Sequence, residues 1–454
     1  MILNIVIVIL GVILYCISPN TYNFPICCIC LAGFLLTSWD LLREDFKNRN
    51  YINFNTFFLI SFFLTSFCFP VFVMNSDSMF TALSYASMAV FRHVNFDWVT
   101  KATCLCLASV NLYAIGFKYF QKHDASITSR LDNRSLNASG ARVLLVISAL
   151  LVIGNVVLTL SSRDFKGFVT NNYFYEIYDA LLALSFVARW DRSNKESGVM
   201  PFIMNNVWEI GLSAVICFML MSFNERGMAL SIIMIVLASY SLYRKINGVT
   251  LIVLMLVGSL SMYVIRLAKM ENVNFTDTSI GTLTQDNGAE DSPLLIFSDL
   301  LGAEMELCVS YEIKETQGLQ KPEQIVLIPF MPFPLLPSFA SQLFFNTTYD
   351  DARAAQALNI YMSDYGATFG KHCVGDVYMR WGIVGIFVFF LVFGYFVGKF
   401  CTLKDRNLYY LASFFILLSL SIYIPRSSLI DIIRPLFYIY IFSLLLSNKN
   451  TVTY

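Results

Sequence analysis

The chain has 454 residues, of which 57% are apolar, 15% aromatic and only 14% charged, and its formal net charge is zero. Soluble domains carry about 25% charged residues, so this composition excludes one. The zero net charge by itself points to no partner, and nucleic acid is not among those expected.

A helix needs about 20 apolar residues to cross a bilayer, and uncharged runs of that length recur along this sequence. The reading is an all-α polytopic membrane protein with about twelve spans, near 2–17, 24–42, 55–74, 97–119, 142–161, 172–190, 201–222, 228–243, 248–266, 378–399, 407–424 and 429–447. The first two are hinged at SPNTYN. The first lacks a basic flank and a small-residue cleavage site, so it reads as an anchor and not as a signal peptide. The sixth stands apart because Glu176 and Asp179 lie inside it. No inverted repeat of the transporter kind is visible.

Basic residues cluster in alternate loops: Arg43, Lys47 and Arg49; Lys118 to Arg142; Arg189 to Lys195; Arg244 and Lys245; Lys399 to Arg406; Lys449. Positive residues are retained in the cytoplasm, so both termini are expected there. This orientation divides the chain into an N-terminal transmembrane bundle (1–266), a long outer segment (267–377) and C-terminal spans (378–454). The outer segment, Leu267 to Val377, holds 15 of the 31 acids and 5 bases. Within it, TDTSIGTLTQDNGAEDSP reads as a polar loop. DDARAAQALNIYM reads as a short helix with Asp350 or Asp351 as its N-cap. PFMPFPLLPSF carries Pro332, Pro334 and Pro337 and reads as a re-entrant or an extended loop.

Most of the eleven cysteines lie in spans, where cysteine is an ordinary small apolar residue. Cys308 and Cys373 lie in the outer segment, where a disulfide between them is one alternative. No Cys/His spacing of the zinc type is present, so no metal and no cofactor are expected.

Few bases remain on the outer side. Arg163 follows the fifth span in SSRDFKGF, Arg226 lies in FNERGMALS, and Arg426 and Arg434 lie in IPRSSLIDIIRP. Arg380 stands in GDVYMRWGIVG, at the lip of the uncharged run Trp381–Gly398. A charge at membrane depth faces an interior or a wet cavity, and arginine's planar fork suits phosphate. Each also has a plain structural alternative. Arg163 beside Asp164 forms a solvated turn, and Arg226 pairs with Glu225. Arg380 with Asp376, or Arg434 with Asp431, forms a pair within one helix.

These motifs, taken in order, resemble the Wzy-type O-antigen (oligosaccharide repeat-unit) polymerases of Gram-negative bacteria. Arg226-Gly227 opens a span after an outer turn. Asp376, Tyr378, Gly382 and Gly385 match an acid, a tyrosine and a Gly-x-x-Gly leading into a span, with aspartate where the family more often has glutamate. Arg426, Ser428 and Leu429 match an Arg followed by Ser-Leu near the last span, and IPFMPFPLLP fits a Pro-rich outer segment loosely. The match covers about 220 to 440; the N-terminal half agrees only in span number and hydrophobicity. The related O-antigen ligases carry a histidine before a similar helix start, and His372 keeps that alternative open.

The resemblance implies an architecture like that of the C-type glycosyltransferases, sited in the bacterial inner membrane with the long loop in the periplasm. It implies transfer of a growing glycan from undecaprenyl pyrophosphate onto a new lipid-linked repeat unit. A chain-length regulator and a flippase of the same pathway are the implied partners. Arg226 and Arg426 would hold the pyrophosphate as it leaves. Asp376 would serve as general base, with Glu225 second. Tyr378 and Trp381 would stack on sugars or act as interfacial anchors. Arg380, Arg434, Arg163 and His372 complete the candidate substrate contacts. For Asp376 the plain alternative is an acid placed near a helix's positive N-terminus. A flippase is the rival class, opposed by the long outer segment.

Overall fold

The computed structural model describes residues 1–76, 94–123, 136–162, 172–190, 198–222, 226–256, 258, 301–333, 336–348, 358, 360–361 and 371–447. Helices form where the apolar runs lie: α1 (Ile2–Ile17), α2 (Phe24–Lys47), α3 (Phe54–Ser66), α4 (Val99–His123), α5 (Ala138–Ser162), α6 (Asn172–Arg189), α7 (Val199–Asn205), α8 (Val207–Ser222) and α9 (Arg226–Tyr243). Then come α10 (Ala303–Gln317), α11 (Leu336–Phe345), α12 (Cys373–Leu403), α13 (Leu408–Leu420) and α14 (Ile433–Leu446). Asparagines start several of them: the Asn23, Asn53 and Asn407 side chains each accept a first-turn N–H, meeting a donor that the helix itself leaves open. Among the described residues the one β contact is an isolated antiparallel bridge between Leu136 and Ser447.

Among the described residues, five helical stretches are long and apolar enough to cross a membrane, and a sixth is added if the pair α7 and α8, bent by 83°, counts as one span. α1, α3, α13 and most of α9 are apolar but shorter. The protein is thus a polytopic helical membrane protein, while the expected count of about twelve spans is not reached by these helices. Its outer faces support that reading. Ile2, Ile13, Trp39, Leu150, Phe218, Val384 and Leu445, on six different helices, are all exposed, an apolar exterior that suits lipid better than water.

α4 is the central post, with 89% of its apolar window buried. Its neighbours fix its direction. Asn23, Thr37 and Asp40 of the α2 strand of chain meet Thr100, Asn111 and Lys118 in turn, so α2 and α4 run parallel. Tyr113 and Phe117 lie against Gly394 and Gly398, so α12 runs parallel to them as well. α3 runs the other way, with Asn55 bonded to Tyr113 at one end and Ser66 to His372 at the other. The beginnings of α2, α4 and α12 therefore gather at one end of the bundle. Their distal ends carry Arg43, Lys47, Lys118, Lys122, Lys399 and Lys404.

The α4–α12 crossing is close enough for backbone to touch backbone. A Cβ on Gly394 would collide with the Tyr113 carbonyl oxygen. In a membrane, where lipid is as apolar as leucine, such small-residue contacts are what hold helices together. A second core lies between α5, α6, α9, α13 and α14. At its far end Glu209, fully buried, accepts from Ser185 at 2.9 Å and sits between Arg142 and Arg189 at 3.5 and 3.6 Å.

The outer segment contributes α10 and α11. α10 packs against the start of α12, where Gly375 faces Leu307 and Ser310. Its Glu304 is fully buried with neither carboxyl oxygen hydrogen-bonded, and burial pushes that carboxyl well above the usual carboxylate range. The Pro-rich run is more regular than its prolines suggest. A tight helical stretch spans Pro322–Phe330, and α11 begins at Leu336 with Pro337 in its first turn, where no N–H is needed. The TDTSIGTLTQDNGAEDSP loop and most of the DDARAAQALNIYM helix expected from the sequence lie outside the described residues. Cys308 and Cys373 are both buried free thiols.

The crossing is testable. Gly394→Leu is expected to abolish accumulation of folded protein in the membrane. Gly154→Leu, at a position with nothing within 4 Å of a Cβ, is expected to leave it unchanged; quantitative detection in membrane fractions and melting in detergent would check both.

Candidate functional site

The site is assembled from the first three turns of α12. The helix starts at Cys373, earlier than the span expected near 378, because His372 caps it. Its Nδ1 accepts from the Val374 N–H at 3.2 Å, and its Nε2 lies 3.0 Å from the Ser66 hydroxyl. The ring is fully buried, and burial pushes it down to about 3, so it is a neutral cap.

α12 breaks at Gly382, whose φ of 61° and ψ of −154° only glycine adopts without strain. The break frees carbonyls of the preceding turn. The Met379 carbonyl accepts from the Gln320 N–H at 2.9 Å, and Trp381 Nε1 donates to the Pro322 carbonyl at 3.0 Å. The chain just after α10 is thereby sewn onto the motif helix. Trp381 is half-buried and stacks on Phe389, with centroids 4.3 Å apart.

Asp376 lies in the first turn and is 2% exposed. Arg380 Nη2 donates to its Oδ1 at 2.6 Å, and the Ser428 hydroxyl donates to its Oδ2 at 2.6 Å. The ion pair within one helix, weighed as the plain alternative, is present and fully enclosed. The expected role of Asp376 as general base does not fit this geometry: both carboxylate oxygens are engaged, and neither faces an open space. Arg380 is equally buried, and its Nε has no partner.

Ser428 carries the connection onward. It caps the tight turn Leu429–Ile432 in a capping box with Asp431, whose Oδ2 accepts the Ser428 N–H at 3.2 Å. Two residues earlier, Arg426 ends the turn Ile424–Arg426; its N–H donates to the Tyr423 carbonyl at 2.8 Å. The Arg426 side chain is half-buried and has no ion-pair partner among the described residues. Tyr423 in turn covers the start of α9, since a Cβ on Gly227 would lie 3.3 Å from its hydroxyl. Three segments distant in sequence thus converge: Arg226-Gly227, Asp376 to Gly382, and Arg426 to Leu429. Arg163, Glu225 and the Arg226 side chain lie outside the described residues.

Tyr378 does not face an opening. It is 1% exposed and stacks on Tyr311, with centroids 4.9 Å apart. Its hydroxyl meets Tyr15, Glu315 and Lys314 at 2.8, 2.7 and 3.2 Å, a cluster that ties α1, α10 and α12 together. Arg434 reaches across to α6, donating to Glu176 Oε1 at 3.0 Å and to the Met331 carbonyl at 3.0 Å, with its guanidinium 4.4 Å from the Tyr173 ring. Sequence reading named Ser428 only as part of a motif, without its bond to Asp376, and missed Ser66, Tyr15 and Glu315, which carry no local signal. Glu176 did carry one, as an acid inside an apolar span.

Removing one member of a buried ion pair costs about 3–5 kcal/mol, whereas replacing both by apolar groups is often neutral. Asp376→Ala is therefore expected to lower the stability of the purified chain by roughly that amount, and Ser428→Ala by about 1.5–3 kcal/mol. The Asp376→Leu/Arg380→Met pair should recover most of the loss. Unfolding in detergent would check the series; no shift for Asp376→Ala would contradict the anchoring role.

No curated protein and no solved structure matches the chain. Residues 316–447 match the family model described as O-antigen polysaccharide polymerase Wzy. That stretch holds Asp376, Arg380, Arg426 and Ser428, and stops short of Arg226. The chain's likeness to the Wzy-type O-antigen polymerase family, read first from those motifs, is therefore shown over residues 316–447.

Proposed function

We propose that the protein polymerises oligosaccharide repeat units carried on undecaprenyl pyrophosphate, at the periplasmic face of the inner membrane. The supporting observation is the convergence of the three motif segments around Arg426, a half-buried arginine with no ion-pair partner among the described residues, inside the stretch that matches the polymerase family. In the reaction, a hydroxyl of the acceptor unit attacks the anomeric carbon of the donor glycan and gives up its proton to water. The bond to pyrophosphate breaks, and its electron pair leaves with the lipid carrier.

Pyrophosphate is a good leaving group once its charge is stabilised. Arg426 and Arg226 are assigned that role, acting where charge develops as the glycosidic bond breaks. Asp376 is assigned a positioning role: through Ser428 it holds the turn that carries Arg426. Arg380 orients Asp376. The chain-length regulator and the flippase remain proposed partners. The ligase alternative rested on His372, which is enclosed as a helix cap and bonded to Ser66, and the polymerase reading is preferred for that reason.

The test is complementation of a polymerase-null host of matching glycan type. Wild type is expected to restore a ladder of chain lengths on a gel. At equal membrane levels, Arg426→Ala should fall to single-repeat caps, a loss of about 10²-fold or more, with Arg426→Lys intermediate because a point charge replaces a fork. Rescue of a flippase-null host without a ladder would sink the polymerase reading and favour a transporter.

A further inference from the structure

The outer segment carries an apolar surface that the fold leaves uncovered. From Gln324 to Tyr349 it has no charged residue, although the segment as a whole holds 15 of the chain's 31 acids. α11 shows three faces. The first is buried: Pro337, Ala340 and Ser341 point inward, and Ala340 packs with Leu327, Phe330 and Phe345 in a small core shared with the tight stretch Pro322–Phe330. The second is polar and exposed, with Ser338 and Gln342 one turn apart. The third is apolar and exposed. Leu336, Phe339 and Leu343 recur at the i, i+3, i+7 spacing of one helical stripe and are 37%, 65% and 65% exposed. The chain leading into the helix adds Ile325, Val326 and Phe333, all exposed.

Position decides what covers this surface. The Phe333 ring meets Phe437 of α14 edge to face, with centroids 4.8 Å apart. Arg434, in the first turn of α14, donates to the Met331 carbonyl at 3.0 Å. Phe437, Tyr440 and Leu444 form one stripe of α14, and Tyr440 and Leu444 are exposed. The stretch Leu429–Leu446 is long and apolar enough to cross a membrane, so that stripe faces lipid. The approach to α11 is therefore seated at the end of a lipid-facing stripe and continues it. α11 itself has 10 residues, too few to cross a bilayer, and Pro329, Pro332, Pro334 and Pro337 keep the run from forming one spanning helix. A short helix with separate apolar and polar faces suits the boundary between lipid and water, where such helices lie flat with the apolar side below the headgroups.

We propose that α11 is an interfacial helix of the leaflet at the motif end of the bundle. Leu336, Phe339 and Leu343 contact phospholipid acyl chains, while Ser338 and Gln342 face water. The inference stands apart from the polymerase reading. It makes the bilayer a support of the lip: through Met331 and Arg434, α11 ties the lipid boundary to the start of α14, directly after the turn that carries Arg426.

The experiment uses the full wild-type chain, so no variant has to fold. The chain is reconstituted in vesicles of phosphatidylethanolamine and phosphatidylglycerol, with a phosphatidylcholine that carries a photoreactive diazirine high in one acyl chain. After illumination, peptide mass spectrometry locates the lipid adducts. Adducts are expected on Phe339 and Leu343 and, as an internal reference, on Tyr440 and Leu444, with Ser338 and Gln342 spared. Labelling of α14 without α11 overturns the proposal. Equal labelling of Ser338 and Gln342 also overturns it, because the helix would then be submerged as a re-entrant loop. Loss of the α11 adducts on adding undecaprenyl pyrophosphate overturns it in favour of a groove for the substrate's tail. Adducts that persist under that competition support the bilayer as the occupant.

Discussion

The arrangement of this end of the bundle depends on one buried carboxylate. Asp376 divides its two oxygens between Arg380, one turn along its own helix, and Ser428, which begins the turn ahead of the last helix. Taking an ion pair out of water costs several kcal/mol per ion, and the return depends on geometry and on further hydrogen bonds. Here the return includes position. Ser428 and Asp431 form a capping box, Arg426 stands two residues before it, and Tyr423 rests on the first turn of α9. A shift of Asp376 would therefore move the arginine turn relative to the rest of the bundle.

That carboxylate is held in place by two features of α12. Beyond the motif, Gly394 and Gly398 let α12 lie against the α4 backbone, so the helix cannot slide or roll. Within the motif, Gly382 breaks the helix, and residues 320–322 take up the carbonyl and the indole left at the break. The outer segment is in this way part of the bundle's lip. α10 reinforces it through Tyr311 and Glu315, which meet Tyr378 and, for Tyr311, Tyr15.

Much of the helical layout was legible because burial in lipid demands long apolar runs, and those runs are local in sequence. Boundaries shifted where local chemistry decided them: His372 draws the start of α12 forward to Cys373, and Pro337 sits in the first turn of α11, a helix that the neighbouring prolines argued against. The motif residues were legible as a set. Their contacts were not, since the bond between Asp376 and Ser428 joins residues 52 apart and neither carries a local sign of its partner. The same holds for Tyr378, whose ring is covered by Tyr311, and for Arg434, whose carboxylate partner lies on α6. Glu176 and Asp179 made the sixth span look doubtful. They stand there because Glu176 meets Arg434 and Asp179 accepts from the Ser231 hydroxyl, while the rest of α6 packs into the second core.

In the proposed reaction Arg426 stabilises a pyrophosphate leaving group while the Asp376–Ser428 anchor holds it in place. The most direct measurement reconstitutes the purified chain in a bilayer with its lipid-linked repeat unit and follows release of lipid pyrophosphate alongside glycan length. The account predicts one lipid pyrophosphate released for each repeat added, with Arg426→Ala slowing both alike. Lengthening of the glycan at the wild-type rate by Arg426→Ala would contradict it.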